Sequence, residues 1–470
     1  MQVLRANALA LRVTPLFVLY VWLTVIFMAG GGSRSDIVSL LVLRPLGIIM
    51  VFASLWFLKR ENWPKANLVV LSILAVLTLA VVQLIPLPPE LWHSLPQRDL
   101  IVRIDAAAGL TDAWRPLSIA PDRTANVMYF LFAPLSVALL LLGMEPSERT
   151  NLIKLVVGFG LFSGVLGVLQ LTSSDSSPLY FYSIHTPNAA VGLFANRNHQ
   201  AAFLALCIPL TAAFASGTFR SEQRKRVIQF VALLIIAFLA ALLLVVGSRL
   251  GVISGVIALA VLPFIWSDAL LSQTSALKKP AFRTGAIIGI VTVPILLTIV
   301  FARSQAIDRL LGSDDVEEYR LRTFEPVLNL MYDYFPFGSG LGSFVEAYSR
   351  VEPDALLEPR YLNHAHFDFL EWAITAGLPA MLGIAFAAGL FAIGTFKLFL
   401  RYDKAWPNVR TGRAASVGLA ILAIGSVVDY PLRTPILISV SVLLSYWMLD
   451  ALASSSAKQR QSNRWRSGNA

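Results

Sequence analysis

The stretch YLNHAHFDFLEW, residues 361–372, sets His364 and His366 two positions apart, with Asp368 and Glu371 just beyond. They stand where a polar segment gives way to an apolar run. A neutral imidazole near pH 7 can take a proton from a hydroxyl. In a helix His364 and Asp368 are i,i+4 neighbours and can pair, and the carboxylate would orient the ring and raise its basicity. These residues therefore read as a candidate general base. Two other readings compete. The two histidines with Asp368 offer three metal ligands, although no further His or Cys cluster supports a metal. They also fit a structural pair at a membrane interface.

Arginines mark the edges of other apolar runs. FANRNHQAAF carries Arg197 and His199, VVGSRLGV carries Arg249, EEYRLRTFE carries Arg320 and Arg322, and VVDYPLRTP carries Asp429 and Arg433. An ionisable residue at membrane depth is costly and usually has a partner or a function. A guanidinium grips phosphate oxygens through two parallel bonds and stays charged near low dielectric. The set points to a site for a phosphorylated or carboxylated ligand. For Arg249 the alternative is a helix end snorkelling to the interface; for Arg433 it is a local pair with Asp429. Arg303, Arg309, Arg350 and Arg360 read as a solvated face. In PFGSGLGSF, Gly338, Gly340 and Gly342 at alternate positions allow a tight turn and close backbone approach.

The elements that must position these residues are membrane helices. The chain has 470 residues, 56% hydrophobic and 14% charged, with mean hydropathy +0.69, against roughly 25% charged in soluble domains. Runs of about 20 apolar residues recur, as a spanning helix requires, and they lack the alternation of a membrane barrel. The expected fold is an all-α polytopic membrane protein. About twelve spans are placed at 14–31, 37–58, 67–86, 125–143, 152–171, 198–217, 227–247, 250–267, 284–302, 368–396, 414–429 and 434–453. The first reads as a retained anchor rather than a cleaved signal. Together they make one transmembrane domain over 1–453.

Lysine and arginine set the orientation. With the N-terminus in the cytoplasm, basic residues crowd the inner segments and acidic residues the outer ones. Every lysine (Lys59, Lys65, Lys154, Lys225, Lys278, Lys279, Lys397, Lys404 and Lys458) falls inside, so outer positive charge is all arginine. The net charge of +10 thus reflects topology and not nucleic-acid binding. Cys207 is the lone cysteine, so no disulfide forms within the chain. The basic tail 454–470 has no apolar period and reads as disordered near anionic lipid. Two outer segments are long. Residues 87–124 open with prolines that imply a stiff, non-helical exit from the membrane. Residues 303–367 contain Leu321, Phe324, Val327, Leu328, Met331 and Phe335 at helical spacing, an amphipathic helix over the membrane face or a cavity.

In order, these motifs resemble the O-antigen ligase and polymerase superfamily of membrane glycosyltransferases. GLFANRNHQAAFLA (192–205), SRLGVISG (248–255), YRLRTFEPVLNLMYDYFPFGSGLGSF (319–344) and NHAHFDFLEWAITAGLPAMLG (363–383) carry the resemblance over a core of 192–383, with LIPLPPELW (84–92) upstream. Phe367 and Phe369 depart from it, standing where the family often has Asn and Tyr. The resemblance implies a GT-C-like fold in the bacterial inner membrane, both termini cytoplasmic and the active site periplasmic. It implies metal-independent, cofactor-free inverting transfer of a glycan from undecaprenyl pyrophosphate. The acceptor would be a sugar hydroxyl on lipid A–core, or, for a polymerase, on another lipid-linked repeat. By that likeness Arg197, Arg249 and Arg320 bind pyrophosphate, helped by Arg322 and Arg433. His366, eleven residues before Gly377, is the favoured base and His364 the second. Gly338, Gly340 and Gly342 shape the loop around substrate, and Asn196, Asn198 and His199 orient Arg197 or touch sugar. A lipid-linked oligosaccharide flippase and a non-catalytic assembly subunit are the rival readings from other classes.

Overall fold

The computed structural model describes residues 14–58, 68–266, 315–357, 361–403 and 405–468. The helices are α1 (Pro15–Ala29), α2 (Leu40–Leu55), α3 (Leu68–Leu84), α4 (Pro89–His93), α5 (Asp99–Ala108), α6 (Pro121–Leu142), α7 (Pro146–Leu171), α8 (Arg197–Ala215) and α9 (Glu222–Val246), followed by α10 (Arg249–Ala260), α11 (Leu262–Ile265), α12 (Asp315–Tyr334), α13 (Phe344–Tyr348), α14 (Asp368–Phe396), α15 (Pro407–Val428) and α16 (Pro435–Gly468). Strands β1 (Pro86–Leu87) and β2 (Arg115–Pro116) pair antiparallel.

Among the described residues seven helices (α6 to α9, α14 with its extension to Arg401, α15 and α16) are long and apolar enough to cross a membrane, and α1, α2, α3 and the Arg249–Ile265 pair are shorter apolar helices. The expected span at 284–302, the first 13 residues, and the start of the long loop at 303–314 lie outside the described residues. The break near Ser248 has a local cause. Gly247 ends α9 in the left-handed region (φ 64°), and Ser248 caps α10 by accepting from Gly251 N–H.

Helix α8 is the centre of the bundle. Its alanine-rich run 201–215 is almost wholly buried, and small side chains let α7, α9, α10 and α15 approach it closely. On α14 the pattern inverts: Leu382, Phe386, Ile393 and Phe396 are exposed, a face suited to lipid. The segments expected outside gather at one end of the bundle. Gly31 N–H donates to the Tyr182 hydroxyl at 2.6 Å, Arg123 to Ser35 at 3.0 Å, Arg34 to Tyr361 at 2.7 Å, and Asn198 to Asp429 at 2.7 Å. Those expected inside gather at the other, where Arg149 meets Asp450 at 2.6 Å and Arg410 donates to Ser216 O at 2.6 Å.

Three expectations need correction. The proline-rich exit after α3 is not free of helix. After β1, Pro89 occupies the first turn of α4, where its missing N–H costs nothing, and α5 follows. Arg98, 1% exposed, ties this segment down: it donates to Leu117 O and lies over the Trp92 and Tyr334 rings. Burial, with Arg350 nearby, pushes its guanidinium down to about 10. The amphipathic helix exists, but its buried stripe is Thr323, Val327, Leu330 and Tyr334, while Phe324 and Phe335 are largely exposed; Leu321 has no described side chain. Side chains of comparable hydropathy on two adjoining faces left the phase of the stripe ambiguous. Finally, 454–468 continues α16 as helix. Once a helix is nucleated, Ala, Lys, Gln and Arg extend it readily.

Candidate active site

The glycine-rich loop builds the platform. Gly338, Gly340 and Gly342 have φ of 83°, 112° and 80°, a region that L side chains rarely adopt. A Cβ on Gly340 would meet Ser118 Cα at 2.7 Å, and one on Gly338 would meet Thr375 O at 2.7 Å. The loop threads between the β2–α6 link and a break in α14 at Gly377, where φ is 62° and ψ −150°. Ser339 N–H donates to Ile374 O, Gly340 N–H to Thr375 O, and Ile119 N–H to Ser339 O. Gln83 closes the junction, donating to Thr375 O and accepting from Leu341 N–H. The glycines thus anchor the first turns of α14, the stretch that follows the histidines.

His364 and His366 precede α14. The helix starts only at Asp368, so the expected i,i+4 pair of His364 with Asp368 does not form. Glu371 takes its place: His364 Nδ1 lies 3.0 and 3.1 Å from its two oxygens. Ala365 N–H donates to the same carboxylate at 3.0 Å. Arg433 completes this half. Its Nε donates to Asp368 at 2.9 Å, and Nη2 lies 2.8 Å from Asp368 and 3.3 Å from Glu371, with the guanidinium 5.2 Å from the Trp372 ring. Arg433 therefore pairs with these two carboxylates and not with its sequence neighbour Asp429. Burial alone would lower the Arg433 guanidinium, but Asp368 and Glu371 outweigh it and raise it. His364 Nε2 is buried.

The second half centres on Asp429, fully buried at the end of α15. Asn196 and Asn198 both donate to its Oδ2, at 3.1 and 2.7 Å, and Tyr430 N–H donates to Oδ1 at 3.0 Å. His366 Nδ1 lies 3.5 Å and His199 Nε2 3.9 Å from Oδ1. Asn196 also caps α8, and Asn198 accepts from Ser248 at the start of α10. One carboxylate thereby joins α8, α10, α15 and the histidine segment. His366 sits in the left-handed region (φ 55°), an uncommon conformation for a side-chain-bearing residue and one that clusters at functional sites. Tyr430 packs among the rings, 4.4 Å from His364, 5.0 Å from His366 and 5.4 Å from His199.

Of the other arginines, Arg197 is half-buried as the first residue of α8, Arg249 is exposed as the first residue of α10, and Arg322 is exposed on α12. Arg320 lies in α12, with its side chain outside the described residues. The hydrogen bond from Asn198 to Asp429 and that from Ser248 to Asn198 bring the starts of α8 and α10 to the histidines. Among the described residues no group of three His, Cys, Asp or Glu side chains is placed to hold a metal ion; Asp368 faces Arg433.

Sequence reasoning named both histidines but missed Asp429 and Tyr430 as their partners. The signal was there for Asp429, a carboxylate between two apolar runs.

The fold and this cluster define a polytopic all-α membrane protein with its polar machinery at one end of the bundle. A family model described as O-antigen ligase matches residues 234–385, from within α9 to within α14. A comparison with curated proteins gives no match.

Proposed function

We propose that this protein transfers a glycan from undecaprenyl pyrophosphate to a sugar hydroxyl at the periplasmic face of the bacterial inner membrane. The step would be ligation of O-antigen to lipid A–core or a related step in surface-polysaccharide assembly. The observation that carries this reading is the pair of carboxylate-backed histidines, His366 beside buried Asp429 and His364 locked to Glu371, with both histidines inside the segment that the O-antigen ligase model matches. The matched domain supports the general activity; donor, acceptor and mechanism are our reading.

Of the two rings, His366 suits the base. Nδ1 turned to Asp429 leaves Nε2 as the nitrogen that meets substrate, whereas His364 Nε2 is buried. The acceptor oxygen attacks the anomeric carbon while its proton passes to His366 Nε2. The bond from that carbon to the pyrophosphate oxygen breaks, and the electron pair leaves with undecaprenyl pyrophosphate. Arg197, Arg249 and Arg320 would hold the charge that develops there. Arg433 acts indirectly, by fixing Asp368 and Glu371. Asn196, Asn198 and His199 position Asp429, and Gly338, Gly340 and Gly342 hold the platform. A single displacement of this kind inverts the anomeric centre and needs no metal, since imidazole handles the proton and guanidinium the charge.

The test is transfer by purified protein from a lipid-pyrophosphate-linked glycan. His366→Ala abolishes turnover while donor binding persists; undiminished turnover in both His366→Ala and His364→Ala would remove the base from the scheme. Glycan profiles of a deletion strain assign the step. Loss of all lipopolysaccharide caps marks a ligase, single-repeat caps a polymerase, and lost capsule or slime an exopolymer enzyme.

A further inference from the structure

We infer that the cleft between α12 and the segment 351–356 is a saccharide subsite, holding the glycan chain of a substrate beyond its reacting sugar. The cleft encloses about 660 Å³. Its helical wall presents Arg322, Glu325, Asn329 and Asp333. Their spacing of three, four and four residues puts them in one row along about 16 Å of helix. The facing wall is apolar, formed by Val351, Pro353 and Leu356. Glu325 and Asn329 are exposed and Asp333 is half-buried.

A sugar ring has this same two-sidedness. Its hydroxyl edge suits carboxylates and amides that accept and donate in a plane, and its C–H face suits an apolar wall. The sign of the charge also discriminates. Two carboxylates against one guanidinium disfavour phosphate, so the pyrophosphate end of a donor does not belong here. The floor of the cleft is also the apolar wall that backs the histidine segment. Leu330, 1% exposed, lines it and packs in the same apolar cluster as Leu362 and Ala365, the residue between the two histidines. A glycan in the cleft would therefore lie on the far side of this packed wall from the histidines and would reach the reacting sugar around its edge. This inference rests on the glycosyl-transfer reading for its substrate, but binding can be measured apart from turnover.

The experiment uses full-length protein in nanodiscs, with Asn329→Ala and the pair Glu325→Gln and Asp333→Asn. The probe is oligosaccharide released by mild acid from the producing strain's surface polysaccharide, followed by saturation-transfer NMR. Wild type binds, and each variant binds about tenfold more weakly with an unchanged melting temperature. In transfer assays KM for one substrate rises by a similar factor, with a smaller effect on kcat. A rise for the donor assigns the cleft to the donor chain, and a rise for the acceptor assigns it to the acceptor. Absence of binding by wild type, or equal binding by the variants, overturns the subsite. Stripe-dependent binding without any transfer by wild type leaves the subsite standing and refutes the activity.

Discussion

Replacing Asp429 by Asn isolates the proposed role of the carboxylate behind His366. The two side chains have nearly the same shape, so the packing of α8, α10 and α15 is kept. The introduced amide can turn its oxygen toward Asn196 and Asn198, which donate to Oδ2 at 3.1 and 2.7 Å. Its NH₂ then replaces Oδ1, where it meets Tyr430 N–H and His366 Nδ1 at 3.5 Å. Two donors now face each other at Tyr430, and His366 Nδ1 must accept instead of donate. The proton moves to Nε2, the nitrogen that has to receive the acceptor's proton. For stability, two charge-assisted bonds become neutral ones, a loss of about 1 kcal/mol each, and the Tyr430 N–H loses its acceptor at a further cost of about 1–3 kcal/mol. For catalysis, a histidine base held in the wrong tautomer loses on the order of 10²–10⁴ in kcat. The assay is single-turnover transfer from lipid-linked donor by protein in nanodiscs, with the melting temperature measured alongside. A variant that remains folded and turns over within about threefold of wild type would refute the tautomer argument.

Three further outcomes follow from the same geometry. Arg433→Lys keeps a positive charge but cannot span Asp368 and Glu371 as a fork does; it lowers stability by about 1–3 kcal/mol, read by thermal unfolding, and loosens His364, read in its imidazole NMR signals. Gly340→Ala forces Ser118 backbone to move and a side chain into φ 112°; the cost is about 2–4 kcal/mol, seen as a lower melting temperature or lost expression, whereas the same change at Gly383, where a Cβ meets nothing within 4 Å, is silent. Arg249→Lys reduces transfer about tenfold or more if its fork binds pyrophosphate, and equal activity would leave Arg249 as a helix end reaching to the interface.

Much of the bundle was legible because a spanning helix is written as a continuous apolar run. The histidine segment was legible for a related reason: titratable rings at the edge of such a run are conspicuous. What joins them was not. Asp429 meets Asn196 and Asn198 across more than 230 positions, and nothing in either segment names the other. His364 finds Glu371 and not Asp368 because the chain stays extended until Asp368, which cancels the i,i+4 argument. Arg433 looked to Asp429 in the same turn, yet the short helical turn Pro431–Arg433 carries its side chain over to α14. The glycine motif suggested a substrate loop. Its positive φ angles also serve close packing against Ser118 and the α14 break, a role that depends on neighbours distant in sequence.

The most direct test of the central claim is the configuration of the bond made. Purified protein is supplied with undecaprenyl-pyrophosphate-linked glycan of known anomeric configuration and a sugar acceptor, and the product linkage is read by NMR. Direct attack by a hydroxyl deprotonated at His366 yields the opposite anomer. Retention of the donor's configuration, or release of free glycan with no acceptor bond formed, would contradict it.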